Sequence, residues 1–290
     1  MKVLVTGISG LIGSAMAREL RVQGHEVIGV SRSPSPKSVG WQQVNPTLMN
    51  DVDAVINLAG ETVAGRWTDA KKRRLLDSRL ETTKLVAAAV WDSDSPPSVL
   101  IQASASGYYG QRGDEVLDES SSNGSGFLAD LCQQWEAAAA RAETAQTRLV
   151  FARFSVVLAS EGGALGRLRK VTRLGIGGPL GKGRQWWSWI SLQDTVRALC
   201  HILEGEISGP VNIACDQPQR QRAFAKTLGS VLRRPSFTPV PAIAIRAVLG
   251  QMGESLLLDS TRLRPSALIA NGFEFEDGEL EGALRRIFTT

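Results

Sequence analysis

The stretch KVLVTGISGLIGSAMAREL, from Lys2 to Leu20, restricts the fold more than any other part of the chain. A β-branched run breaks at Gly7, Gly10 and Gly13 and then continues with a helical pattern. Glycines at a strand-to-helix turn let the backbone fold sharply and let a ligand approach where a side chain would clash. The helix behind them offers unpaired N–H groups and the positive end of its dipole. Such a junction suits a pyrophosphate, with Leu11 and Ile12 presenting their backbone to it. Three glycines alone also fit an ordinary turn, so the reading depends on the segments that follow.

Those segments alternate. KVLVT is followed by EVIGV (Glu26–Val30), DAVINLAG (Asp53–Gly60), SVLIQAS (Ser98–Ser104) and RLVFARF (Arg148–Phe154), with helical patterns over Asp69–Trp91 and Phe127–Glu143 between them. Short apolar strands alternating with helices predict a doubly wound parallel α/β sheet of Rossmann type. After Phe154 the rhythm changes, and glycine-rich Glu161–Arg184 predicts loops and a short helix that leave the sheet. WWSWIS (Trp186–Ser191), a helix from Gln193 to Glu204 and GPVNIA (Gly209–Ala214) read as a return to it. The expected organisation is a dinucleotide-binding domain over 1–160, joined again by 186–215. A smaller α+β substrate lobe would be formed by 161–185 and 216–290.

Nicotinamide proteins that prefer NAD place an acid at the end of the second strand; here the chain has Ser31 and Arg32. A hydroxyl and a guanidinium suit a 2′-phosphate, so NADP(H) is the expected cofactor, with Lys37 as a base that could share the load. Three scattered cysteines and two histidines predict neither disulfides nor a metal site. A net charge of +4, with clustering seen only in KKRR (Lys71–Arg74), makes nucleic acid a weak expectation as a partner. With no apolar run long enough to span a bilayer, and no basic and apolar leader before the first strand, the expectation is a cytoplasmic protein without a membrane partner, monomeric or homodimeric.

With TGISGLIG, NLAGE (Asn57–Glu61), SRLETTKLV (Ser78–Val86), ASASGYYG (Ala103–Gly110) and GGPLGKGRQWWSWI (Gly177–Ile190), the chain resembles the extended short-chain dehydrogenases/reductases. More narrowly it is similar to the atypical group called epimerase family protein, related to the NAD-dependent epimerases/dehydratases and nucleoside-diphosphate-sugar epimerases, from Met1 to Phe288. The resemblance implies that Leu58, Ala59 and Gly60 pass under the cofactor and that Arg79 faces it. It also implies that Ser104 is the family's serine at the end of the fourth strand. The family's usual Tyr-x-x-x-Lys pair, in which the ammonium lowers the phenol pKa, is missing. Aligning Trp135-Glu136 with the family's helix puts Leu128 and Cys132, or Phe127 and Leu131, in its place. Tyr108 or Tyr109 could substitute as the acid, or both could be aromatic packing. Trp187 stands where nucleotide-sugar epimerases carry an arginine for the substrate diphosphate, and Ser191 where close relatives have His. With Trp189 and Tyr109, Trp187 is expected to line an apolar or aromatic pocket, or else to pack into the core.

These readings converge on an NADP(H)-dependent oxidoreductase or epimerase-like enzyme for a small carbonyl or alcohol that is not a typical nucleotide sugar, with Ser104 and Tyr108 as catalytic candidates. The alternative, favoured by the lost Tyr/Lys pair, is a non-catalytic NADPH-binding regulator or redox sensor.

Overall fold

The computed structural model describes residues 1–33 and 38–289; Lys37 lies outside the described residues. The strands are β1 (Lys2–Thr6), β2 (Glu26–Val30), β3 (Ser38–Val39), β4 (Ala54–Asn57), β5 (Val99–Ala105), β6 (Val116–Leu117), β7 (Arg148–Phe154), β8 (Val156–Leu158), β9 (Trp186–Trp187), β10 (Trp189–Ser191), β11 (Gly209–Ile213), β12 (Gln219–Arg220) and β13 (Arg262–Leu263). The helices are α1 (Leu11–Val22), α2 (Pro46–Met49), α3 (Asp69–Trp91), α4 (Phe127–Ala139), α5 (Gly163–Arg173), α6 (Leu192–Glu204), α7 (Gln221–Leu232), α8 (Ala242–Gly253), α9 (Ser266–Ala270) and α10 (Leu280–Thr289).

Seven strands form one parallel sheet in the order β11-β7-β5-β4-β1-β2-β3. Its central strands are buried on both faces, which is why VLVT, AVIN and VLIQAS read as continuous apolar runs rather than alternating ones. Val3, Val5, Ile56 and Ile101 pack with Met16 and Leu20 of α1 and Leu199 and Ile202 of α6. Leu4, Val55, Leu100 and Leu149 pack on the other face against Val86 and Val90 of α3. Because β1 is followed by β2 on one side and flanked by β4 on the other, the strand order reverses between β1 and β4. At such a reversal the crevice beyond the strands' carboxyl ends is open to a ligand.

The return to the sheet is narrower than expected. Gly209–Ile213 joins it beside β7, but Trp186–Ser191 does not: β9 pairs with β12 and β10 with β8, forming small two-stranded ribbons outside it. Trp187 and Trp189 do share a side, and that side is a core. Trp189 is fully buried with its indole N–H on the Gln217 carbonyl, and Trp187 meets Phe224 edge-on, with ring centroids 5.4 Å apart. With Leu228, Leu280 and Leu284 they knit α7 and α10 together. The pocket-wall role expected for this pair is therefore corrected to packing, since both indoles are spent on burial. Helix α8 breaks at Gly250, whose φ of 60° is open to glycine and strained for other residues.

Candidate functional site

The glycine turn is built as a cradle. Gly7 has φ 64°, and a Cβ there would lie 2.7 Å from the Leu58 carbonyl oxygen. A Cβ on Gly13 would lie 2.3 Å from the Gly7 carbonyl oxygen, so helix α1 can sit this close to the turn only without a side chain. The Gly10 N–H donates to that same carbonyl at 2.8 Å. No side chain caps α1 at Gly10, so its first N–H groups, those of Leu11, Ile12 and Gly13, point out of the helix end unpaired. Opposite, Leu58 and Ala59, just before Gly60, are pinned by a buried polar relay. The Leu58 and Ala59 N–H groups both donate to Thr6 Oγ1, Thr6 donates to Asn57, and Asn57 donates to Gln102 and Thr83. This relay escaped the sequence reading, although Asn57 and Gln102 as polar residues inside apolar strands are its signal.

Beside the cradle, at the ends of β2 and β4, positive charge gathers around Glu61. Lys71 Nζ bonds its carboxylate at 2.6 Å, the Ser78 hydroxyl accepts the Glu61 N–H at 3.1 Å, and Arg79 Nη1 donates to its carbonyl at 3.1 Å. Residues 71, 74 and 78 share one face of α3, so Arg74 stands over the same carboxylate. The Lys71 bond holds the Glu61 carboxyl below its ordinary value, and Arg74 and Arg32 act in the same direction. KKRR is thus divided: Lys71 is buried and paired, while Arg74 is exposed beside exposed Arg32. Arg79 is buried, stacks on Trp135 at 4.8 Å and borders Gly60, and its Nε has no partner among the described residues. Ser31 Oγ accepts the Ser33 N–H, closing the turn after β2.

At the end of β5 the structure revises the catalytic expectations. Ser104 is buried, and its only proton goes to Glu136 Oε1 at 2.6 Å, so it is not available as a donor to a substrate oxygen. Glu136 also takes Arg153 Nε and Nη2, both at 2.8 Å. Burial opposes the Arg153 charge, but its bonds to Glu136 and Tyr109 outweigh that and raise its pKa. Tyr109 is fully buried, accepting from Arg153 Nη1 at 3.0 Å and donating to Asn212 at 2.8 Å. Burial pushes its phenol up to about 12, and its expected place in a substrate pocket is corrected to a place in this network. Of the two tyrosines only Tyr108 is partly exposed, its ring lying against the Arg153 guanidinium at 3.5 Å. Leu128 packs on Gly107, and Cys132 is buried with its thiol pushed up to about 12, chiefly by burial and next by Glu136. Neither residue supplies a usable proton near neutral pH.

A wide concavity lies further along, where the chain after Tyr109 meets the second lobe. This open cleft of about 1010 Å³ is lined by Lys182, Arg184, Arg220, Arg222, Lys226 and Arg246. Asp114 pairs with Arg220 at 2.6 Å and Glu254 with Arg246 at 3.0 Å; among the described residues no carboxylate pairs with the other four cations. At the cleft's margin, the outward tryptophan of WWSW, Trp186, stacks against Arg220 at 4.1 Å and Arg262 at 4.4 Å and donates its indole N–H to Asp114. This cleft is cationic, and none of Trp187, Trp189 and Tyr109, the residues expected to line an apolar or aromatic pocket, is among those lining it.

Comparison with known proteins matches residues 3–214 to the NAD dependent epimerase/dehydratase family and residues 240–287 to a domain of unknown function. The chain is 42% identical to an epimerase family protein of Mycobacterium bovis, covering 97% of this chain and 96% of that one. It is 36% identical to human epimerase family protein SDR39U1 over 99% of both. The crystal structure of that human protein with NADPH superposes with a TM-score of 0.95 over 100% of both chains. A nucleoside-diphosphate sugar epimerase structure from Corynebacterium glutamicum, 33% identical, gives 0.82 over 99% of this chain and 58% of that one.

Proposed function

The chain belongs to the NAD dependent epimerase/dehydratase family, and from that premise we propose that it binds NADP(H) and exchanges hydride with a small anionic carbonyl or alcohol. The observation that carries the cofactor assignment is the Gly13 contact. A Cβ on Gly13 would lie 2.3 Å from the Gly7 carbonyl oxygen, so only glycine fits there, and this glycine-only turn beneath an uncapped helix end at the strand-order reversal suits a pyrophosphate. Leu11, Ile12 and Gly13 would hold the pyrophosphate by their N–H groups, Leu58–Gly60 would underlie the adenosine, and Arg79, with its free Nε, would face the ribose side. Ser31, Arg32 and Arg74 would hold the 2′-phosphate. Counting Arg32, Arg74 and Lys71 against Glu61, that corner carries a local excess of about two positive charges, which suits a phosphomonoester.

When bound, the nicotinamide supplies hydride to a carbonyl carbon or takes it from an alcohol carbon. Tyr108, beside the Arg153 guanidinium, is the proton donor in this reading, and Ser104 with Glu136 fixes the floor beneath it. The six cleft cations orient the anionic end of the substrate. Trp187 stands in place of the arginine that binds the diphosphate in nucleotide-sugar epimerases and cannot neutralise it, but the cleft's own cations would supply that charge, so phosphorylated substrates fit the cleft's chemistry.

Nicotinamide absorbance followed with matched anionic and neutral carbonyl compounds, UDP-sugars included, tests the reading. Turnover should favour the anionic member of each pair, and Arg222→Ala should raise KM more than it lowers kcat. Equal rates for both members would overturn it. A second reading is favoured by Ser104's engagement with Glu136 and the buried Cys132: a protein that binds NADPH without turnover. Tight NADPH binding with no turnover across the panel would select it.

A further inference from the structure

Acidic residues are missing from a large part of the second lobe. Neither 162–193 nor 217–253 contains an Asp or Glu, while each contains six Lys or Arg, leaving 21 basic against 29 acidic residues in the rest of the chain. The two segments also lie side by side. The Val240 N–H donates to the Pro179 carbonyl, the Gly181 N–H donates to the Val240 carbonyl, both at 2.8 Å, and Gly178 is packed against the Thr238 backbone. Six of the twelve cations line the cleft, but Arg167, Lys170, Arg173, Arg233 and Arg234 are exposed elsewhere, and none of the five pairs with a carboxylate among the described residues. Arg233 takes the left-handed conformation (φ 53°) that usually falls to glycine at a helix end.

The same surface exposes large apolar side chains. Phe237 is 80% exposed, Ile243 76%, Leu174 75% and Val248 70%. On α8, Ile243, Ala244, Ala247 and Val248 form an outward apolar face, and Leu174 and Ile176 leave the end of α5 next to the loop carrying Phe237.

We propose that this face, formed by the end of α5, the 233–238 loop and α8, is a peripheral docking surface for an anionic lipid bilayer. Apolar tips entering the boundary between headgroups and acyl chains, with lysines and arginines around them on the phosphates, are the two components of such binding. Among the described residues no helix is long and apolar enough to cross a membrane, so the contact is with the surface. A second copy fits poorly, because a two-fold contact would set two acid-free basic faces against each other. Nucleic acid would satisfy the cations but leave Leu174, Ile176, Ile243 and Val248 without a partner. A face of one sign across two long segments matches a uniformly charged surface better than the mixed charges of a protein interface.

Sedimentation of the full chain with vesicles of phosphatidylcholine alone, or of phosphatidylcholine with phosphatidylglycerol, tests this. Binding is expected to the anionic vesicles only and to weaken with salt. Lys170→Gln with Arg173→Gln should lower partitioning roughly 10- to 30-fold, at about fivefold per charge near such a surface. Phe237→Ser should lower it about tenfold or more. Both variants should melt and bind NADPH as wild type does, since these side chains are exposed and distant in sequence from the glycine cradle. No binding, equal binding to neutral vesicles, or indifference to both variants would overturn the proposal. So would duplex DNA binding that matches vesicle binding, or self-association that Phe237→Ser abolishes.

Discussion

Replacing Glu136 by Gln is expected to destabilise the fold severely. The carboxylate is buried and accepts three hydrogen bonds, from Ser104 at 2.6 Å and from Arg153 Nε and Nη2 at 2.8 Å. The amide cannot accept all three, and it leaves the Arg153 guanidinium, with 4% of its side chain exposed, without a counter-charge. Breaking a buried pair from one side costs about 3–5 kcal/mol. For a domain of this size that lowers Tm by on the order of 10 °C. The comparison that isolates the cause is Glu136→Leu combined with Arg153→Met. Removing both charges should recover most of the loss, to within about 2 kcal/mol of wild type, because the desolvation penalty goes with the pair. Urea unfolding followed by tryptophan fluorescence measures both variants. A loss below about 1 kcal/mol for Glu136→Gln, or a double variant no better than the single one, would refute the view that this pair organises the floor beneath Tyr108.

Other outcomes follow from the same structure. Gly13→Val should abolish NADPH binding by calorimetry while the chain stays folded, since a side chain there meets the Gly7 carbonyl. Arg32→Ala and Arg74→Ala should each lower NADPH affinity about tenfold or more and leave NADH nearly unchanged; an equal loss for both cofactors would remove these residues from the 2′-phosphate site. Tyr109, raised from 10.0 to about 12, favours the fold while protonated, so its contribution is complete below pH 10 and is lost as pH rises toward 12. That contribution is on the order of 2–3 kcal/mol. Phenolate absorbance in Tyr108→Phe should show no ionisation of Tyr109 near pH 10 while the protein remains folded. Trp187→Ala should cost about 3–5 kcal/mol, as expected of a core residue rather than a pocket wall.

What the sequence disclosed follows from where local patterns carry physical meaning. The glycine turn, the β1–β4 reversal and α3 were legible because continuous apolar strands and glycine spacing report backbone requirements directly, and α3 begins and ends at Asp69 and Trp91 as read. Trp187 and Trp189 were placed on one side correctly, yet alternation says only that two residues share a side. Whether that side faces a pocket or α7 and α10 depends on distant partners such as Phe224 and Leu284. Ser104 kept its position, but its role turned on Glu136 and Arg153, residues 32 and 49 positions away whose meeting no spacing rule foretells. The acid-free basic segments were legible in the sequence and were missed, because net charge and short clusters conceal an asymmetry spread over two separated stretches. Arg74 was hidden similarly, inside a run that looked like a nucleic-acid patch until α3 divided it between Glu61 and the solvent.

The central claim is a cradle that selects NADP(H), and calorimetric titration of NADPH and NADH into the wild-type protein at one fixed salt concentration tests it most directly. The account predicts one NADPH site per chain, with NADH binding weaker by about tenfold or more, the difference made by a charge-assisted hold on one phosphate. Equal affinities for the two cofactors, or no binding of either, would contradict it.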